Sequence, residues 1–364
     1  MSSQSRDWVV ACLRDPTVVL GMAPRDWDLF IRQAGAGDLI ARVAELLVRH
    51  DLLERVPSQP RNHLLAAMTY ARSLQDGVRR EVGFIHEALA ASGLRAVLLK
   101  GAAYVMAGLD ASRGRMFQDV DVLVSRGCVG EAEAALMLRG WATTHHDAYD
   151  QKYYRQWMHE IPPMQHIHRG TTIDAHHAIL PLTGRIHPEP ALLIAEARSL
   201  QSHPGLAVLS PVDMVLHSVT HLFMNEEFSH GLRDLSDIDL MLRQFGVEKS
   251  FWPALVARSR VLGLGRLLHY ALRHASRVFA TPVPASATDA VGKLGPGPLL
   301  GVLMDFLWTR ALRSPHPSVD TGLAVPATFL LYLRAHWMRM PLPMLVMHLT
   351  VKAFKRAKKP EQEA

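Results

Sequence analysis

Apolar residues recur with helical spacing through the N-terminal part of the chain. The run at residues 40–47 follows that spacing, and a longer amphipathic stretch covers residues 62–92. Residues three and four apart share one face of a helix, so the pattern predicts helices that pack by one side. Gly93 directly follows the longer stretch, and glycine commonly ends helices. We therefore expect residues 1–93 to be helical.

After residue 93 the pattern changes to short apolar runs rich in Val, Leu, Ile and Thr, at residues 97–99, 120–124 and 171–176. Runs of this length and composition are typical of buried strands. Helical spacing returns at Ser210-Pro211, a serine cap followed by a proline in the first turn. The predicted class is α+β. The predicted segments are a helical region at 1–93, a small mixed-sheet core at 94–200, and a helical domain with a basic tail at 201–364.

Two carboxylates lie two residues apart in the strand predicted near residues 120–124. Alternate residues of a strand share a face, so Asp119 and Asp121 project the same way. Such neighbours repel unless a cation lies between them, and hard oxygen ligands suit Mg²⁺. The alternative is a pair of strand-end aspartates that cap turns or pair with Arg113 and Arg115.

A third carboxylate, Asp174, lies on the strand predicted at residues 171–176 and shares its face with His176. Three acidic side chains on neighbouring strands can hold two metal ions that orient a nucleoside triphosphate. A second Asp-x-Asp, at Asp237 and Asp239, lies in sequence with helical spacing, where two residues rotate by about 200°. We expect that pair to be structural, with Arg233 or Arg243 as partner.

Lys100-Gly101 ends the first predicted strand. A buried strand that opens through glycine into a helix leaves backbone N–H groups pointing beyond the strand, where a phosphate can bind. Lys100, Gly101 and Arg115 are therefore candidate nucleotide-binding residues, with Arg113 as an alternative to Arg115 and with His176 added because it shares the face of Asp174.

Composition narrows the choice of function. The chain has 364 residues, a net charge of +6, 49% hydrophobic residues and only two cysteines, which indicates a globular protein with anionic partners and no disulfide framework. The sequence has no P-loop pattern, which argues against a P-loop kinase, and no Gly-x-Ser-x-Gly elbow, which argues against a serine hydrolase. The twenty histidines include no His-Glu-x-x-His pattern, and His217 and His221 lack an evident third ligand, so we do not expect a zinc site.

Three stretches together resemble a known family: residues 98–101, residues 115–124 (RMFQDVDVLV) and residues 173–176. They are similar to the uncharacterised nucleotidyltransferase family of the DNA polymerase β-like superfamily, over about residues 80–245. The resemblance implies a small mixed sheet flanked by helices. One departure is that Lys100-Gly101 stands where the superfamily usually has Gly-Ser.

The resemblance also implies the reaction, which is transfer of a nucleotidyl group from an NTP to an acceptor with Mg²⁺ or Mn²⁺ and release of pyrophosphate. Asp119, Asp121 and Asp174 would hold the catalytic metal ions, while Lys100 and the backbone of Gly101 would hold the triphosphate. Asp174 would also help to deprotonate an acceptor hydroxyl. The acceptor stays open among a peptide, a saccharide, a small molecule and RNA.

Two other functions compete with the enzyme. One is a catalytically silent module that binds a nucleotide or a partner protein. Against this interpretation, clustered carboxylates repel one another, and a catalytically inactive site would not need them. The other is a protein that binds an anionic lipid surface through residues 338–359, which mix apolar and basic side chains. We do not expect membrane association. The N-terminus lacks the pattern of a signal peptide, and we expect a cytoplasmic protein.

Overall fold

The computed structural model describes residues 6–145, 147–320, 322–347 and 350. The helices are α1 (Trp8–Arg14), α2 (Pro24–Ala36), α3 (Ile40–Arg49), α4 (Ser58–Ala90), α5 (Lys100–Met106), α6 (Val129–Leu138), α7 (Ala148–Lys152), α8 (Pro190–Ala195), α9 (Pro211–Met224), α10 (Gly231–Phe245), α11 (Phe251–Val261), α12 (Gly265–Phe279), α13 (Ala285–Gly292), α14 (Pro298–Ala311) and α15 (Ala324–Arg339). The strands are β1 (Ala96–Leu98), β2 (Asp119–Leu123), β3 (Trp141–Thr143), β4 (Met164–His166), β5 (Thr172–His176), β6 (Arg198–Ser199) and β7 (Leu206–Val208).

In the described chain, seven strands form one mixed sheet in the order β3-β4-β5-β2-β1-β7-β6. Strand β2 pairs in parallel with β5 and antiparallel with β1, which in turn runs parallel to β7. Helices precede and follow the sheet along the chain, so the predicted α+β class is confirmed. Strand β7 extends the sheet past residue 200, and the division of the chain into three segments stays a prediction.

The two central strands are buried because helices cover them. All three residues of β1 and four of the five in β2 are buried, and only Asp119 is exposed. The long helix α4 contacts β2, α5 and α6. It is followed by Gly93 with φ of +66°, the left-handed conformation that commonly ends a helix. Apolar side chains from both helical regions and the sheet belong to one continuous core.

Arg42 on α3 joins the N-terminal helices to the rest of the fold. Its side chain is 4% exposed, donates to Ser236 Oγ at 2.8 Å and to the carbonyl oxygen of Ala111 at 2.6 Å, and forms an ion pair with Asp237 on α10. A buried guanidinium needs such partners, because an unpaired buried charge is very costly.

No helix among the described residues combines the length and the apolar character needed to cross a membrane. Most of the basic tail, from residue 351 onward, lies outside the described residues, as do residues 348 and 349.

Replacing Arg42 with leucine is expected to destabilise the fold by about 3 kcal/mol, because Asp237 loses a buried partner and two further hydrogen bonds disappear. Urea unfolding measures the change. Arg32→Leu is the matched control, since Arg32 and Asp28 form an exposed i,i+4 pair with side chains 58% and 65% exposed, and we expect a loss below about 0.5 kcal/mol there. Equal losses in the two variants would contradict the structural role given to Arg42.

Candidate active site

Parallel pairing of β2 with β5 brings the predicted carboxylates to one place. The Cα atoms of Asp121 and Asp174 are direct partners in the register, and Asp119 lies opposite Thr172. Because alternate residues share a face, all three acidic side chains project from the same side of the sheet. Candidate ligand atoms of Asp121, Asp174 and His176 lie within 4.8 Å of one another.

Lys100 and His176 compensate the buried carboxylate of Asp121. Its Oδ1 accepts from Lys100 Nζ at 2.6 Å and lies 2.9 Å from His176 Nε2, while the residue is only 2% exposed. Burial by itself raises the pKa of Asp121, but Lys100 and His176 outweigh it and lower that pKa far below its usual value. Burial likewise lowers the pKa of Lys100, and the charge of Asp121 more than restores it. Asp121 is therefore ionised and Lys100 charged.

The other two carboxylates lack such compensation. Asp174 Oδ1 is buried, and no hydrogen-bond partner for it occurs in the described part of the chain. Burial and the charges of Asp121 and Glu160 raise the pKa of Asp174 to about 7. Although Asp119 is exposed as a residue, neighbouring protein atoms desolvate its carboxyl group, and this desolvation together with the charge of Asp121 raises its pKa. This cluster has more negative charge than the protein neutralises, which is the environment that a divalent cation needs.

A cleft of about 170 Å³ opens beside the carboxylates. Lys100, Asp119 and Asp121 line one part of it, and Arg115 and Arg233 line another. Arg115 is held by Asp237, with Nε 2.8 Å from Oδ2, and Arg233 by Asp234, with Nη2 3.0 Å from Oδ1. Fixed cations next to a carboxylate cluster suit an anion that brings its own metal ion, as a nucleoside triphosphate does.

Close packing explains the glycine at position 101. A Cβ there would stand 2.7 Å from the Phe117 ring, and real Cβ atoms do not approach other atoms so closely. Phe117 also lines the cleft. Gly101 therefore lets the ring lie against the start of α5, and Lys100 just before it has a left-handed φ of +44°.

The model of a family described as uncharacterised nucleotidyltransferase matches residues 23–280. The chain belongs to this family. Membership confirms the resemblance drawn from the three short stretches, and the match extends well beyond the 80–245 range on which that resemblance rested. No curated protein and no solved structure matches the chain significantly.

In this member of the family the predicted phosphate ligands are not equivalent. Arg115 reaches the cleft, whereas Arg113 is exposed and pairs with Asp110 at 3.1 Å. His176 is 3% exposed, and its two ring nitrogens face Asp121 and Glu160. The nucleotide-binding role of His176 stays a prediction, and its position favours a role in orienting Asp121 instead.

Sequence reasoning missed two residues of the candidate site. Glu160 lies beside His176 through a single antiparallel bridge, in a segment of irregular backbone. Arg233 was considered only as a structural partner, yet it lines the cleft. The one available signal for Arg233 was the start of α10 directly after a polar loop, which is a common place for anion contacts.

Tyr154 lies near Glu160 and Asp174, in the π-helical turn Tyr153–Trp157. Burial and the charges of Glu160 and Asp174 raise the pKa of Tyr154 to about 12. Its hydroxyl therefore stays protonated next to the acidic cluster.

The second Asp-x-Asp behaves as the helical spacing predicted. Asp237 and Asp239 lie on α10 and contact different groups. Asp237 pairs with Arg115 and with Arg42, and Asp239 accepts from Arg243 at 2.8 Å. The predicted pairing with Arg243 is found for Asp239, while the partners of Asp237 come from distant parts of the chain.

Gly101→Ala is expected to destabilise the protein by about 1–3 kcal/mol, because the new methyl group displaces Phe117. Thermal or urea unfolding measures this loss, and Phe117→Leu in the same chain should recover part of it. Gly83→Ala in α4 is the control, since no described atom lies within 4 Å of the place that the new methyl group would take, and helix propensity predicts a gain there of about 0.5–1 kcal/mol. A Gly101→Ala protein as stable as the parent would show that the ring is free to move.

Proposed function

We propose that the protein is a Mg²⁺-dependent nucleotidyltransferase that moves an NMP from an NTP to an acceptor hydroxyl or phosphate, with release of pyrophosphate. The observation that supports this best is the paired position of Asp121 and Asp174 on parallel strands, with Asp119 two residues before Asp121, at the edge of a cation-lined cleft. Family membership supports the same reaction class.

The donor set fits a hard divalent cation. Asp119, Asp121 and Asp174 offer carboxylate oxygens only, and one of them, Asp174 Oδ1, is buried with no hydrogen-bond partner in the described residues. These three residues would hold Mg²⁺ or Mn²⁺. When bound, the ions would lower the pKa of the attacking hydroxyl and neutralise charge on the phosphate.

The protein's own groups have separate tasks in this proposal. Lys100, Arg115 and Arg233 bind the triphosphate and orient its leaving group away from the acceptor. The acceptor oxygen then bonds to the α-phosphorus, and the bond to the bridging oxygen of pyrophosphate breaks. The proton of the acceptor hydroxyl passes to Asp174. We expect this chemistry in the cytoplasm, where the free thiols Cys12 and Cys128 stay reduced.

Transfer is tested by following label from the nucleotide. The full chain, Mg²⁺ and each of ATP, GTP, CTP and UTP are incubated with lysate from the source organism. Label on the α-phosphate is expected to appear in an acceptor of peptide, saccharide, small-molecule or RNA type, while label on the γ-phosphate appears only in pyrophosphate. Transfer of the γ-label would indicate a kinase. Nucleotide binding without transfer of either label would favour the catalytically silent binding module.

Asp119→Asn and Asp174→Asn are each expected to lower the transfer rate by on the order of 10²- to 10³-fold, because the metal ligands lose charge. Circular dichroism checks that both variants fold. Asp239→Asn is the matched control from the second Asp-x-Asp, and its transfer rate should equal that of the parent. Full activity in both site variants would assign catalysis to other residues.

Lys100→Met is expected to have opposite effects on the affinity for Mn²⁺ and on the affinity for NTP. Mn²⁺ should bind the nucleotide-free protein about tenfold more tightly, since the ammonium no longer neutralises Asp121. NTP should bind roughly 10- to 100-fold more weakly, because one charge-assisted hydrogen bond is lost. Titration calorimetry measures both, and Lys152→Met serves as a control with a lysine that lies over the Trp157 ring. Weaker binding of Mn²⁺ in Lys100→Met would contradict competition between lysine and metal.

A further inference from the structure

A second group of ligand-type side chains lies beyond His176, on the side away from Asp121. His159, Glu160 and His176 each offer one ligand atom, and these atoms lie within 4.8 Å of one another. His176 Nδ1 is 3.2 Å from Glu160 Oε2, and His159 Nε2 is 4.0 Å from the same oxygen. The group consists of two imidazoles and one carboxylate, whereas the cluster assigned to catalysis offers carboxylates.

We propose that His159, Glu160 and His176 bind a divalent transition-metal ion of the Zn²⁺ type, in a site separate from the carboxylates that hold Mg²⁺. Two nitrogens and one oxygen suit zinc and its neighbours far better than magnesium, which prefers oxygen. Three protein ligands leave one position open for water or an acceptor group. The argument for this site does not rest on the proposed nucleotidyl transfer, and its test needs no nucleotide.

The spacing of the donors agrees with this coordination. Metal–ligand bonds of about 2.0–2.1 Å in a tetrahedron place neighbouring donors roughly 3.3 Å apart. The separation of 3.2 Å between His176 Nδ1 and Glu160 Oε2 matches this edge. The His159 ring is stacked on the His176 ring with centroids 5.3 Å apart. Its Nε2 would have to approach Glu160 Oε2 from 4.0 Å to roughly 3.3 Å to reach the same spacing.

The second nitrogen of His176 supports the same assignment. Metal-bound histidines usually donate their other N–H to a carboxylate, which fixes the tautomer. His176 Nε2 lies 2.9 Å from Asp121 Oδ1, so the proton belongs on Nε2 and the lone pair of Nδ1 points toward Glu160. In the described residues this buried Nδ1 has no hydrogen-bond partner, because its contact with Glu160 lacks hydrogen-bond geometry.

The alternative to a bound metal ion is a second proton on His176, at Nδ1. Burial lowers the pKa of His176, while its hydrogen bond to Asp121 and the charge of Glu160 raise it above the usual value. The arrangement with a proton on both nitrogens calls for an aligned N–H···O contact to Glu160, which the geometry does not provide.

Such an ion would connect the two parts of the site. It would hold the His176 ring, and His176 would in turn hold Asp121 in the orientation that the catalytic carboxylates require. His176 is then a positioning residue for Asp121 as well as a ligand.

Cobalt(II) is the probe, because imidazole-containing sites of low coordination number absorb strongly in the visible region, while octahedral oxygen sites absorb weakly. The full chain without nucleotide should give the intense band at one equivalent of Co²⁺, and Zn²⁺ should abolish it. His159→Ala and Glu160→Gln should each weaken Co²⁺ binding, followed by the intensity of this band, by at least about tenfold. The double variant Asp119→Asn and Asp174→Asn should keep the band, and so should the control His203→Ala.

Three outcomes would overturn the proposal. One is a wild-type protein that takes up Co²⁺ with only weak absorption. Another is loss of the band in the double aspartate variant together with its retention in His159→Ala. A third is Co²⁺ affinity equal to that of the parent in Glu160→Gln. Near-ultraviolet circular dichroism checks folding, and His159→Gln replaces His159→Ala if the alanine variant is unfolded.

Discussion

The carboxylate of Asp121 must be neutralised for this sheet to fold as it does. It lies on a central strand, 2% exposed, and a buried ionised group without partners would cost several kcal/mol. Lys100 and His176 come to it from the ends of two neighbouring strands, β1 and β5, so the pairing of three strands and the neutralisation of one charge depend on each other. Asp119 and Asp174 lie beside this centre, and in the proposed function they bind a divalent cation together with Asp121.

The helical regions are linked to the same centre through Asp237. This carboxylate on α10 binds Arg42 of the N-terminal region and Arg115 of the cleft, which are 73 residues apart in the sequence. Arg115 keeps 12% of its side chain exposed, enough to meet an anion in the cleft while its Nε stays bound. The helical flanks therefore hold one of the cationic side chains in place as well as covering the sheet.

Local patterns were enough to predict the parts of the site that lie on regular elements. The period of two placed Asp119 and Asp121 on one face of β2, and Asp174 and His176 on one face of β5. The pairing of the two strands then brings Asp174 beside Asp121. The period of 3.6 separated Asp237 from Asp239. Glu160 could not be predicted this way. It precedes Pro162 and Pro163 in irregular backbone and reaches the site through one bridge. The partners of Asp237 were missed for a related reason, since contacts across more than 100 residues follow from packing that no local period encodes.

The left-handed backbone conformation of Lys100 affects which substitutions this position tolerates. A φ of +44° suits glycine and costs another residue roughly 1–2 kcal/mol. Replacement of Lys100 by glycine would relax this turn, and it would also remove the ammonium group that pairs with the buried Asp121. The strained turn and the buried carboxylate are therefore tied to each other, and either could be given up alone only where another cation, such as a bound metal ion, pairs with Asp121.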